Sequence, residues 1–371
     1  MRSLIKTHAG LLIVGVLTFV LMGAGQSLYG PALPAFARGF GLDLGQAGLV
    51  ISAHWVGCFA GVGFMFLRGA GITPRVALGV MGLGAAGMAL APEWSLFLAS
   101  ATVLGAGYGI STVVFNPRVL RAFGARGPGM MSLLNASFGV GAIVAPLVFV
   151  ASGNAPVISF ALVAGLAVLI WLGAGAAGQE PVAAVMQGRG FRPDWVILGF
   201  GVVAIGIEAS LIGLGPAALI AAGETEVAAA QWLSVFFGGF LGIRLVLIFA
   251  SHLLHAFQLL TLALGISAVL AAGAALWHPA LFFVALGASA GMFFQGFYVT
   301  ASARMGDDPR VAPTIIAAGL VGGIVLPLVL SQVFGSLGRV GFFWVVAAVT
   351  GAACLIAVAL QRRMAHVDVG L

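Results

Sequence analysis

Glu208 is the only Asp or Glu deep inside any of the long apolar runs of this chain. A carboxylate at the centre of a membrane helix costs roughly 2.5–3.5 kcal/mol on insertion scales. Such an acid either faces a cavity, where it couples a proton or contacts a solute, or it is a structural group hydrogen-bonded between helices. His54 is a second titratable group in an apolar run, next to Trp55. Imidazole changes charge near neutrality, so His54 is either a second proton-coupling group or a histidine bonded to a neighbouring helix. Trp55 offers a stacking face or an anchor at the membrane interface. Gln26, Ser27, Asn116, Asn135, Gln295 and Tyr298 add amides and hydroxyls. These groups bind the hydroxyls of a polar solute without fixing a charge, or they tie helices together. Arg68 and Arg244 close their runs at what is read below as the inner side, where they serve as gate residues; Arg244 either snorkels or pairs with an acid. No arginine or lysine lies mid-run in the first, fourth or seventh stretch above Arg118, which argues against a strictly anionic solute.

These residues must be positioned by elements that live in lipid. Of 371 residues, 61% are hydrophobic and 7% charged, against about 25% charged in a soluble domain. The apolar runs are apolar on every face rather than alternating, so they are helices and not barrel strands. Twelve runs are predicted, at 10–32, 46–67, 74–92, 95–118, 128–151, 155–177, 194–221, 228–249, 256–276, 280–303, 312–334 and 339–361. With the N-terminus in the cytoplasm, the inner loops and ends carry Arg2, Lys6, Arg68, Arg75, Arg118, Arg121, Arg126, Arg189, Arg192, Arg244, Arg304, Arg310, Arg362 and Arg363. The outer loops carry only Arg38 and Arg339. This is the asymmetry of a twelve-span protein with both ends in the cytoplasm. It also accounts for the net charge of +6 without nucleic acid. Cys58 and Cys354 lie in apolar runs and read as packing residues.

The chain is expected to divide into a six-helix bundle at 1–177, a cytoplasmic linker at 178–193 and a second six-helix bundle at 194–371. The halves repeat. Gly30-Pro31-Ala32 recurs as Gly215-Pro216-Ala217, and Gln46 and Gly57 as Gln231 and Gly242, all 185 positions later. Leu104-Gly105-Ala106 with Gly109 recurs as Leu286-Gly287-Ala288 with Gly291 at 182, which also relates Asn116 to Tyr298. Gly141 and Pro146-Leu147 recur as Gly322 and Pro327-Leu328 at 181. Two parallel repeats of this kind are a carrier architecture with its site at the midplane between the halves.

Three segments carry a resemblance to a known family: Gly30-Pro31-Ala32-Leu33-Pro34 with the following Gly45-Gln46-Ala47-Gly48, Leu134-Asn135-Ala136-Ser137-Phe138-Gly139 up to Pro146, and Gly242-Ile243-Arg244. The chain resembles the major facilitator superfamily, and within it the fucose–galactose–glucose proton symporter group. The resemblance implies an all-α fold of two pseudo-symmetric six-helix bundles acting as a monomer. The chain departs from the pattern at Leu67, where the superfamily has an aspartate before Arg68. It departs again in the first and fourth spans, which offer Gln26, Ser27 and Asn116 where the symporters carry acids.

Gly287-Ala288-Ser289-Ala290-Gly291 and Gly82-Leu83-Gly84-Ala85-Ala86-Gly87 match nucleophile-elbow and dinucleotide patterns, but neither has the strand–turn–helix context those motifs need. No Walker loop, HExxH or Cys/His cluster is present, so neither an enzyme nor a cofactor is expected. The expectation is a secondary active transporter in a bacterial inner membrane, moving a small polar solute such as a sugar, with proton coupling through Glu208. Two alternatives stay open: proton-driven efflux of amphipathic compounds, and a non-transporting scaffold or sensor on the same fold.

Overall fold

The computed structural model describes residues 6–68, 72–123, 127–178, 192–250, 254–306, 308, 310–336 and 338–365. Most of the expected linker, 179–191, lies outside the described residues, as do Arg2, Arg126 and Arg189. The described chain is helical throughout. The first half holds α1 (Ala9–Ser27), α2 (Tyr29–Phe40), α3 (Leu44–Arg68), α4 (Pro74–Leu90), α5 (Trp94–Phe123), α6 (Gly127–Ala151) and α7 (Pro156–Gly173). The second holds α8 (Trp195–Ala222), α9 (Glu226–Ala250), α10 (Ala256–Leu276), α11 (Pro279–Gly291), α12 (Phe293–Met305), α13 (Val311–Val333) and α14 (Gly341–Ala365). Among the described residues, eleven helical segments are long and apolar enough to cross a membrane. The twelfth, Pro74–Leu90, has 17 residues, the lower limit for a span. Large apolar side chains stand outward, with Leu90 80%, Leu355 73% and Leu83 71% exposed. An aqueous surface does not tolerate this over whole helices, and a bilayer requires it.

Two spans differ from their predicted form. The first continues to Phe40 as α2, so Arg38 lies on a helix rather than in a loop. The interruption at Leu28 follows from Pro31, which has no N–H to give the Ser27 carbonyl four residues back. The tenth is broken at Met292 into α11 and α12. There the Arg244 Nε donates to the Gly291 carbonyl oxygen at 3.3 Å. A side chain inserted into the backbone ladder is a recognised cause of such breaks.

The chain forms two compact units, Met1–Leu42 with Val50–Ala184, and Asp43–Leu49 with Val185–Leu371. Within the first, α1 packs on α6, and α4 on α5 and α7; within the second, α8 packs on α13, α10 on α14, and α9 on α11. Glycines set the closest approaches. A Cβ on Gly105 would strike the His54 carbonyl oxygen, and one on Gly287 would strike that of Phe236. Gly141 meets Val20 in the same way, and Gly322 meets Val202.

These contacts fix the register of the repeat and correct part of the sequence alignment. His54 and Phe236 stand 182 positions apart, as do Gly105 and Gly287. The left-handed caps Gly41 and Gly223 keep this offset, as do Asp43 and Thr225, whose side chains accept from the N–H of Gln46 and Ala228. Gly57 meets the Thr102 carbonyl, and its counterpart is Gly239 beside Val284, whereas Gly242 faces open space. The Gly-Pro-Ala, Gln46–Gln231 and Gly57–Gly242 matches at 185 are therefore three residues out of register.

Candidate functional site

In the first unit the interruption at Leu28 places Tyr29 against α3. Tyr29 Oη and His54 Nδ1 share a hydrogen bond of 3.0 Å, and both residues are buried. The Trp55 and Tyr108 rings stand edge-on to the imidazole, at centroid distances of 5.6 and 5.4 Å. Gln26 and Ser27 occupy the last turn of α1 and are buried; Ser27 Oγ donates to the Ala24 carbonyl at 3.3 Å. Asn116 lies two turns beyond Tyr108 on α5 and is half-buried. Asn135 is exposed, and its amide donates to the Met131 carbonyl of its own helix at 2.9 Å. Arg68 ends α3, and its side chain lies outside the described residues.

In the second unit Glu208 sits at the middle of α8, half-buried. The Arg244 guanidinium on α9 acts on it electrostatically. The same guanidinium lies over the Phe240 ring at 4.0 Å and holds the broken tenth span at Gly291. Gln295 and Tyr298 follow that break on α12, both half-buried, with Tyr298 packed on Phe294 at 5.3 Å. Both interrupted spans thus carry polar candidates within two turns of the interruption, the arrangement by which discontinuous helices frame ion and solute sites.

The unpaired atoms are the most informative feature. Among the described residues, five buried side-chain polar atoms have no hydrogen-bond partner: Gln26 Oε1, His54 Nε2, Asn116 Oδ1, Asn154 Oδ1 and Glu208 Oε2. Leaving such an atom unpaired costs about 1–3 kcal/mol, so each calls for a bound molecule or a stated reason. Asn154 has one, being the left-handed turn residue (φ 57°) between α6 and α7. The other four are residues that the sequence singled out. At the corrected offset of 182, Gln26 and Glu208 are repeat counterparts, each holding an unpaired oxygen in its own unit.

Sequence reasoning missed Tyr29 and Tyr108. A signal was available: the chain has 27 phenylalanines and three tyrosines, so it packs with Phe and keeps a phenol only where a hydroxyl is needed. All three tyrosines fall among the site candidates. Ser289, from the dismissed elbow pattern, is buried and hydrogen-bonded to Ser267 at 2.8 Å.

Outside the spans, two carboxylates are held down. Partial burial raises the Asp194 carboxyl, but the bond from Arg304 and the N–H groups of Ile197 and Val196 outweigh it, and the net shift is downward. Arg310 lowers Asp308 to about 2 through side-chain and backbone bonds. Asp194 caps α8 and ties it to α12, and Arg304 Nη1 also reaches the Arg363 carbonyl of α14 at 3.4 Å. These bonds tie α8, α12 and α14 together at one end of the second unit.

No family model matches the chain, and no curated protein matches it significantly. Solved structures do match in fold. A peptide transporter, POT, aligns at TM-score 0.79 and 11% identity, over 97% of this chain and 96% of its own. The nucleoside transporter NupG aligns at 0.72 and 14%, over 95% and 99%. The Escherichia coli fucose:proton symporter FucP aligns at 0.63 and 17%, over 93% and 97%. The chain has the twelve-helix major facilitator fold. The likeness is one of fold, shared by carriers of unrelated solutes.

Proposed function

We propose that the chain is a secondary active transporter that moves a small, neutral or cationic, hydroxyl- or amine-bearing solute by alternating access. The observation that carries this reading is the repeat relation of Gln26 and Glu208: two equivalent positions, one in each unit, each burying an acceptor oxygen with no hydrogen-bond partner among the described residues. Asn116 Oδ1 adds a third acceptor. Acceptors left unpaired match a solute that donates. Glu208 is the proton-coupling group, with Arg244 as the cation that competes for its carboxylate. His54, held by Tyr29, is the second titratable candidate. Gln295 and Tyr298 line the solute path near the tenth-span break, Asn135 and Ser27 serve as flanking polar groups, and Arg68 and Arg244 act at the inner gate. Both termini lie in the cytoplasm of a bacterial inner membrane, and the monomer is the working unit.

Thermal stabilisation of the purified protein across a panel of sugars, nucleosides, amines and lipophilic cations tests the solute class. Stabilisation by a donor-rich polar solute, lost in Gln26→Leu, supports the reading. Stabilisation by lipophilic cations alone favours efflux, and no stabilisation by any member contradicts transport of this class.

A further inference from the structure

We infer that the groove between α10 and α14 is a binding site for an anionic phospholipid, distinct from the candidate solute groups. It has a volume of about 690 Å³. Its walls are apolar yet open to the outside: Val269 is 70% and Val358 57% exposed. Gly265 forms the floor; a Cβ there would lie 3.1 Å from Cys354 Sγ. From Gln258 to Leu270 the wall runs thirteen residues of α10, a rise of roughly 18 Å over twelve steps of 1.5 Å, the reach of a membrane acyl chain.

Polarity is confined to one end. Gln258, Thr261 and Gln361 line it there, and Gln361 Nε2 donates to Thr261 Oγ1 at 2.7 Å, so the start of α10 and the end of α14 meet at the same level. Arg362 lies one turn beyond Val358, at the edge of the face of α14 that carries Cys354, Val358 and Gln361, and is exposed; Arg363 is also exposed but lies about half a turn round the helix from that face. His255, exposed, caps α10 beside Gln258. The sequence of apolar trough, amide and hydroxyl rim, then the Arg362 guanidinium is complementary to acyl chain, glycerol ester and phosphate in that order. Basic pockets between spans on the cytoplasmic face recognise anionic headgroups, each arginine contributing about 1 kcal/mol. A neutral lipid fills the trough equally well but leaves Arg362 unmatched, so the charge is what commits the occupant. The inference does not depend on whether the chain carries a solute.

Native mass spectrometry of the full chain in detergent, titrated with equimolar phosphatidylglycerol and phosphatidylcholine, tests it. Phosphatidylglycerol is expected to be retained over phosphatidylcholine by at least about fivefold, the equivalent of ~1 kcal/mol from one arginine. Arg362→Gln with Arg363→Gln should bring the ratio to near parity while retention of lipid persists. Gly265→Leu should lower retention of both lipids by filling the floor. Melting temperatures without lipid check that each variant folds, and if Gly265→Leu does not, Val269→Gln on the exposed rim replaces it. Equal retention of the two lipids, an unchanged ratio in the arginine variant, or a dimer that Gly265→Leu dissociates would each overturn the assignment.

Discussion

Replacing Gly105 and Gly287 by alanine separates close helix contact from helix propensity. Gly105 and Gly287 are repeat counterparts, and at each a new Cβ would fall inside the van der Waals shell of a backbone carbonyl, that of His54 or Phe236. A backbone atom cannot swing aside as a long side chain can, so the two helices must move apart. Overpacking of this kind costs about 1–3 kcal/mol. Every helical Gly→Ala change also gains roughly 0.5–1 kcal/mol from propensity. Gly165 on α7 and Gly238 on α9 have nothing within 4 Å of an added Cβ, so they report the gain alone. The difference between the two pairs isolates the contact: Gly165→Ala and Gly238→Ala hold or raise the melting temperature in detergent, while Gly105→Ala and Gly287→Ala lower it by comparable amounts. The comparison is read from intrinsic tryptophan fluorescence or a thiol-reactive dye during a thermal ramp. If all four variants melt together, or if Gly105→Ala is damaging and Gly287→Ala is not, the register at 182 and the equivalence of the units are wrong.

Three further outcomes follow from individual contacts. Tyr29→Phe leaves both His54 nitrogens unpaired, so it should destabilise by about 1–3 kcal/mol. His54→Leu should largely abolish that penalty in the double variant, a coupling read from a thermodynamic cycle. Arg244→Met frees the Gly291 carbonyl and uncovers the Phe240 ring; amide hydrogen exchange between 287 and 296 should accelerate, and unchanged exchange would mean that the break does not need the guanidinium. Asp194→Ala removes the α8 cap and the bond to Arg304, costing about 1 kcal/mol for the cap and at most about 1 more for the partly buried ion pair, whereas Asp194→Asn loses the ion pair only. Because the Asp194 carboxyl is depressed in the folded state, its contribution is complete above the usual carboxylate value near 3.9 and fades as pH falls through the depressed one. The stability gap between wild type and Asp194→Asn should therefore shrink below about pH 4 and stay constant above it.

The lipid environment, the number of spans and the duplication were legible because each is written redundantly. Hydropathy repeats over some twenty residues per span, and Gly105, Gly109 and Gly141 recur where helices touch. Register was only partly legible. In a chain with 56 glycines, short Gly-Pro-Ala and Gly matches arise by chance, and only contact geometry told Gly239 from Gly242. Glu208, Gln26, His54 and Asn116 were visible as polar residues in apolar runs because burial without a partner is costly wherever it occurs. Tyr29 was hidden because it reads as one more aromatic until the interruption before Pro31 turns it toward His54. The tenth-span break was hidden for a similar reason: its cause, Arg244, lies 47 residues upstream of Gly291, and nothing local in α11 announces it.

The measurement closest to the central claim is solute-driven proton movement. Purified protein is reconstituted into liposomes holding a pH-sensitive dye, and the stabilising solute is added to one side. Solute addition is expected to change internal pH with wild type and not with Glu208→Gln, while solute exchange at equal concentrations is preserved in that variant. Proton movement undiminished in Glu208→Gln would contradict the claim.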